Sequence, residues 1–293
     1  MIPRRRSSLT LAPAPWTIEP RNSSADPGAV SVLAGGERLA RYREHGFEIN
    51  GELCRFTLTD AAASSSPDLV IIACKFHHLD QVPAELRASE GIIARAYGDH
   101  RIPYAMIVGT DAGHAGNRTN FTRAGTIFFG DSTPALPGIR SPRVSRIAEF
   151  FTRFGIPYEI PADMPNRLWY KFMMNVGLNQ ITAITRRPYA LLKTESRVPE
   201  AASLFETAMR EVIAVAAAEG ITLTGEDIES VYRTIDTLAD GGKTSMCQDV
   251  EAGRKTEVEL FAGTMIELGK KHGVPVPVNA LFFQLIRAIE QSY

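Results

Sequence analysis

The 293-residue sequence has no run of about eighteen apolar residues, which excludes a transmembrane helix and with it a membrane-embedded role. It has no excess of one charge: 32 Lys and Arg stand against 33 Asp and Glu, so no global field holds a polyanion and nucleic acid is excluded as a partner. Its cysteines are three (Cys54, Cys74, Cys247), odd in number and far apart, without the pairing of a zinc site or the density of a secreted scaffold. They read as reduced thiols of a cytoplasmic chain. Most telling, no G-x-G occurs anywhere, and the first glycine is Gly28.

What is present is 44% hydrophobic residues, enough for a sizeable core, in a length that suits about two domains. Residues 1–28 carry Pro3, Pro13, Pro15, Pro20 and Pro27 beside Arg4, Arg5 and Arg6, with no hydrophobic period. The expectation there is a loose tail lacking the apolar surface that offsets ordering entropy. From Ala29 a strand, Ala29 to Leu33, leads to a helix from Glu37 to Glu44 that stops at Gly46. Asp68 to Cys74 has the unbroken apolarity of a parallel strand buried on both faces, a character Tyr104 to Gly109 repeats; Gly125 to Gly130 is a further strand.

Beyond about residue 160 the period becomes helical: Pro165 to Ile184, Pro199 to Glu219, Gly225 to Leu238, Ser245 to His272 and Asn279 to Glu290. The expected architecture is an incomplete α/β, Rossmann-like domain over 29–163, followed by an all-α domain over 164–293.

The helix around Trp169 carries the chemistry. At 100° per residue, Lys171, Asn175 and Asn179 lie at 0°, 40° and 80°, a narrow polar stripe. Leu178 and Met174 flank it on one side, Phe172 and Val176 on the other. No acid lies within a turn on that face, so a buried ammonium needs a partner from elsewhere in the chain or from a ligand. Desolvation would depress its pKa and suit it to donate a proton. The plainer alternative is that Lys171 snorkels to solvent while the amides cap backbone groups.

Further on, Ser245-x-x-Gln248 has capping-box spacing, so Ser245 reads first as an N-cap. Glu257, at the edge of an apolar face with Val258, Leu260 and Phe261, is an acid able to meet Lys171. In an unbroken helix Ser245 and Glu257 would stand ~18 Å apart. Both can reach one small substrate only through a bend, for which Gly253 is the natural place.

Leu168-Trp169-Tyr170-Lys171 with Asn175 and Asn179, then Ser245-Met246-x-Gln248-Asp249 and Arg254-x-Thr256-Glu257, resembles ketopantoate reductase (2-dehydropantoate 2-reductase) in order, residue type and spacing. The resemblance covers about Asp26 to Glu290. It implies reduction of a small 2-keto acid by NADPH in the coenzyme A precursor pathway, and a homodimer remains open. It also implies that Lys171 protonates the ketone oxygen, that Glu257 orients the lysine and the substrate hydroxyl, and that Asn175, Asn179 and Ser245 hold the substrate. Lys75 matches the lysine near the nicotinamide, and Arg38 is the nearest replacement for the residue that reads the NADP 2′-phosphate.

The departure from that family is the glycine-rich turn, which lets the backbone approach a pyrophosphate. Residues 1–24 occupy the place of the first strand and its helix, and their composition predicts neither. The centre of the parallel sheet would then be empty and the N-terminal half the less stable one. A competing function follows: a non-catalytic relative whose helical domain binds a small carboxylate or pairs with a partner. Adjacent His77 and His78 have no carboxylate or cysteine cluster around them, so no metal is expected.

Overall fold

The computed structural model describes residues 9–12, 30–34, 36–59, 69–72, 103–110, 113–134 and 139–293. The chain divides into two units, 1–164 and 165–293.

The first unit is built on a parallel sheet of β1 (Leu9–Ala12), β2 (Val30–Leu33), β5 (Thr57–Thr59) and β6 (Leu69–Ile72). Its spatial order is β5-β2-β1-β6, every pair parallel. Ranked along the chain these four strands run 3-2-1-4, the arrangement of a Rossmann half. The empty centre expected from the N-terminal composition is therefore filled. Leu9 to Leu11 pair with Val30 to Val32 on one side, and Leu9 to Ala12 with Leu69 to Ile72 on the other. The tail reading fails at Leu9–Ala12 because a central strand takes ladder bonds from two neighbours, so four residues suffice, and Pro13 follows only after the strand has ended. The rest of residues 1–28 lies outside the described residues.

Helix α1 (Gly36–His45) follows β2 and ends at Gly46, whose φ of +64° suits glycine at a helix stop. Asn50-Gly51 then forms the two-residue turn of the antiparallel hairpin β3 (Phe47–Ile49) and β4 (Glu52–Cys54), with φ of +49° and +83°. That hairpin joins a second sheet, β4-β3-β9-β8, with β8 (Gly113–Ala115) and β9 (Arg118–Asn120). Strand β7 (Tyr104–Val108) runs antiparallel to β10 (Thr126–Gly130), which also pairs with β11 (Tyr158–Glu159). Its apolar run thus belongs to a third sheet and not to the parallel one, a difference periodicity does not encode. Helix α2 (Pro142–Arg153) starts at Ser141, which accepts from Val144 N, with Pro142 at the first position; Val144, Ala148 and Phe151 join Val32, Phe47, Ile49 and Phe129 in this unit's core.

The second unit is helical: α3 (Met164–Thr185), α4 (Pro199–Ala218), α5 (Gly225–Asp236), α6 (Ser245–Glu251), α7 (Thr264–His272) and α8 (Pro277–Glu290). The stretch from Ser245 to His272 is not one helix. It breaks after α6 at Gly253, φ +62°, and resumes through a π-helical turn at Glu259–Gly263. Helix α3 meets α4 so closely at Gly177 that a Cβ there would stand 2.8 Å from the Phe205 ring. The alanines at 201, 202, 208 and 216 are buried in this core, so α4 is a packing element. Helix α8 is tied down at its start by Glu211, whose carboxylate accepts from Val278 N (2.8 Å), Asn279 N (3.0 Å) and Asn279 Nδ2 (2.7 Å). Gln180 Nε2 of α3 donates to Asn279 Oδ1 at 3.2 Å, completing a buried link between α3 and α8.

Candidate active site

Helix α3 is the floor of the site. Met173 is fully buried on the side of the helix away from the stripe of Lys171, Asn175 and Asn179, while Val176 and Leu178, which flank the stripe, are buried as well. Lys171 and Asn175 are half-buried and Asn179 is buried. Among the described residues, the Asn175 and Asn179 side-chain amides make no hydrogen bond. Two amides one turn apart on one helix face offer donors and acceptors in line, a pair equipped to hold a polar ligand.

The Lys171 amine is held below the usual lysine range, chiefly because burial disfavours its charge, while the Glu257 carboxylate acts in the opposite direction. Glu257 is partly buried and stands just after the break at Gly253. Arg254 closes the break, donating from its backbone N to Asp249 O at 2.8 Å and from Nε to Asp249 Oδ1 at 2.9 Å.

Ser245 is exposed and is the first residue of α6 rather than its cap. The cap is Thr244, whose hydroxyl accepts from Cys247 N at 3.1 Å. Capping-box spacing misplaces the cap by one position because Thr244 and Ser245 are both competent for it. Thr182 Oγ1 donates to Leu178 O at 2.7 Å and lies 2.8 Å from Thr244 Oγ1. With the Thr182 proton engaged on a carbonyl, the Thr244 hydroxyl donates to Thr182, which seats the start of α6 on α3 one turn beyond Asn179. Thr182 and Thr244 carried no mark of this role in the sequence.

Two segments thus act on α3, Glu257 electrostatically at residue 171 and Thr244 by hydrogen bond at residue 182, with Asn175 and Asn179 between. Chemically, the set offers a proton donor at one end and amide and hydroxyl groups along the rest, suited to an oxygen-rich anion with a reactive carbonyl.

The dinucleotide side is different. Arg38 is exposed in the first turn of α1, directly after β2. Lys75 lies outside the described residues, as do His77 and His78. In the order β5-β2-β1-β6, the turn after β1 is where a pyrophosphate meets backbone N–H groups. Here β1 ends at Ala12 and the chain continues Pro13-Ala14-Pro15, two of three residues without an N–H. Those three residues lie outside the described residues. Among the described residues there is no cluster of three or more metal-ligating side chains, and no helix long and apolar enough to cross a membrane.

Residues 163–290 match the family described as ketopantoate reductase PanE/ApbA, C-terminal. The 2-dehydropantoate 2-reductase of Halobacterium salinarum is 26% identical over 290 residues, covering 89% of this chain and 94% of that protein. The Vibrio cholerae enzyme of the same name is 32% identical over 152 residues, 52% of this chain and 50% of its own length. In fold, the chain resembles D-mandelate dehydrogenase in complex with NADH, with a TM-score of 0.81 at 20% identity over 97% of this chain and 99% of that one. It also resembles a PanE/ApbA family ketopantoate reductase from Ralstonia eutropha, with a TM-score of 0.77 at 19% identity and the same coverage. The C-terminal match covers residues 163–290, within which Lys171 and Glu257 both lie, so the helical part of the chain is similar to the C-terminal part of ketopantoate reductases.

Proposed function

We propose that the chain reduces 2-dehydropantoate or a similar small 2-keto acid to the 2-hydroxy acid, with NADPH as the hydride donor that its likeness to ketopantoate reductases suggests. The observation that carries the reading is the shielded Lys171 amine with Glu257 as its opposing charge, on the helix face that Asn175 and Asn179 continue one and two turns on. In this reading Lys171, the general acid, gives its proton to the ketone oxygen as negative charge builds there. A depressed pKa brings an ammonium closer to neutrality and makes it a better donor than an exposed lysine. Glu257 keeps the amine protonated enough to act and accepts a hydrogen bond from the product hydroxyl. Asn175, Asn179 and Ser245 hold the carboxylate and distal hydroxyl, and the shielded setting strengthens each of these hydrogen bonds. Arg38 is assigned to the 2′-phosphate and Lys75 to the nicotinamide end.

The prolines after β1 favour a second reading, in which the helical unit binds the keto acid but turnover is impaired. A second copy of the chain is the protein partner in either reading; a structural neighbour from Staphylococcus aureus is described as a dimeric ketopantoate reductase.

The test is NADPH oxidation in the presence of 2-dehydropantoate, together with fluorescence titrations by NADPH and NADH. Lys171→Ala is expected to lower kcat by about 10²–10⁴ while cofactor affinity stays the same. An alanine variant that turns over normally removes the assignment, and a wild-type chain that binds the keto acid without oxidising NADPH selects the second reading.

A further inference from the structure

Glu290, the last residue of α8, has a side chain only 6% exposed, a depth at which an unpaired carboxylate is costly. Its Oε1 accepts from Thr256 N at 2.8 Å and from Thr256 Oγ1 at 2.7 Å. Its Oε2 accepts from Arg287 NH1 at 2.9 Å. Both partners of Oε1 thus belong to the residue immediately before Glu257, and Thr256 itself is 1% exposed. On the other side of Glu257, its carbonyl accepts from Leu260 N (2.9 Å) and Phe261 N (3.2 Å), while Thr256 Oγ1 also accepts from Val258 N at 3.3 Å. The backbone of Glu257 is therefore gripped from both directions. The grip from in front comes from a helix end 34 residues further along the chain.

We propose that Glu290 is a positioning residue which, through Thr256, sets where the Glu257 carboxylate stands relative to the Lys171 amine. The proposal rests on the reading of Lys171 and Glu257 as a working pair. Without the clamp, Glu257 would be held on its N-terminal side only through Arg254, just past the bend at Gly253 and bonded to Asp249, with the exposed Lys255 between. The interaction of two charges falls with their separation and matters most where water is excluded, so a carboxylate that drifts outward changes the proton affinity of a shielded amine. Glu257 is the charge that acts on Lys171. Around Glu290 itself stand Arg287, paired in turn with Glu259 at 3.8 Å, and the Tyr293 phenol, while Asp249 is taken by Arg254.

The experiment is an NMR titration of the Lys171 amine in the full chain, its resonance assigned by disappearance in Lys171→Arg; neither cofactor nor turnover is needed. Thr256→Ala and Glu290→Ala are expected to lower the Lys171 midpoint by about one pH unit, a tenfold loss of proton affinity. Thr256→Ser and Glu290→Gln, which keep the hydroxyl and a side-chain carbonyl acceptor, are expected to titrate like the wild type. A Glu290→Gln midpoint as low as that of Glu290→Ala would mean that charge alone acts, and would overturn the positioning role. Glu257→Gln separates the two levels. If it leaves the Lys171 midpoint unmoved, the pair itself is wrong. If it lowers the midpoint while the Thr256→Ala and Glu290→Ala chains do not, only the clamp is wrong. Should Glu290→Ala fail to fold, Thr256→Ala decides the matter.

Discussion

Replacing Gly177 by alanine tests the closeness of α3 to α4, on which the placement of Asn175 and Asn179 depends. In an exposed helix interior this change stabilises by about 1 kcal/mol, since glycine is the poorer helix former. Here the new Cβ would sit 2.8 Å from Phe205 Cδ2 and Cε2 and 2.9 Å from Met209 Cγ. Carbon atoms prefer ~3.5–4.0 Å, so about 0.7 Å of movement is needed. Phe205 and Met209 are both fully buried, and Tyr232 stacks edge-on to Phe205 with centroids 5.2 Å apart, so neither side chain has room to retreat. Overpacking of this kind costs about 1–3 kcal/mol, and with two immovable neighbours the upper part of that range applies, leaving a net loss of about 1–2 kcal/mol. In calorimetry of the full chain the transition containing the helical unit should fall by about 3–10 °C. Affinity for the keto acid should fall with it, because the amide pair rides on the displaced helix. Phe205→Leu in the same chain should recover part of the loss. A Gly177→Ala chain as stable as the wild type, or more so, refutes the close packing.

Further tests follow from other parts of the molecule. Because the folded pKa of Lys171 is depressed, the unfolded chain binds more protons between the two midpoints, so the cost of charging this amine is present at neutral pH and fades as pH rises through that window. Lys171→Met with Glu257→Gln should therefore be at least as stable as the wild type in denaturant melts at pH 7, with the gap closing toward pH 10; a variant that is markedly less stable at pH 7 contradicts the desolvation. Glu211→Ala leaves two backbone N–H groups and the Asn279 amide short of a buried acceptor, and should cost about 3–5 kcal/mol. A loss under about 1 kcal/mol in urea unfolding would show that water replaces the carboxylate. Pro13→Gly with Pro15→Gly returns two N–H donors after β1. At about 1.5–3 kcal/mol for each hydrogen bond to a charged group, NADPH affinity should rise by roughly 10²-fold or more. An unchanged titration would show that these two prolines do not limit cofactor binding.

Much of the fold can be read in the sequence where one local signal decides. The runs ending in β2 and β6 and the helices α3, α4 and α5 announce themselves through unbroken apolarity or a helical period. Strand β1 does not, since four residues between an arginine cluster and two prolines look like a tail until both neighbouring strands are in view. Strand β7 shows the same limit, because its apolarity says nothing about which sheet receives it. At the site, the stripe of Lys171, Asn175 and Asn179 follows from spacing alone. The action of Glu257 on Lys171 is long-range; its place at the edge of an apolar face made it a candidate partner, and the resemblance to a known family pointed to the same pair. Thr256 was part of the quoted motif, whereas Glu290, 34 residues away, left no local trace.

The most direct measurement is the pH dependence of acylation at residue 171, followed by mass spectrometry with Lys270, an exposed lysine of α7, as internal reference. Half-maximal reactivity at Lys171 should come at a lower pH than at Lys270, and lower still in Glu257→Gln. Equal midpoints for the two lysines, unmoved by the loss of Glu257, would contradict a shielded amine paired with that carboxylate and remove the proton donor from the site.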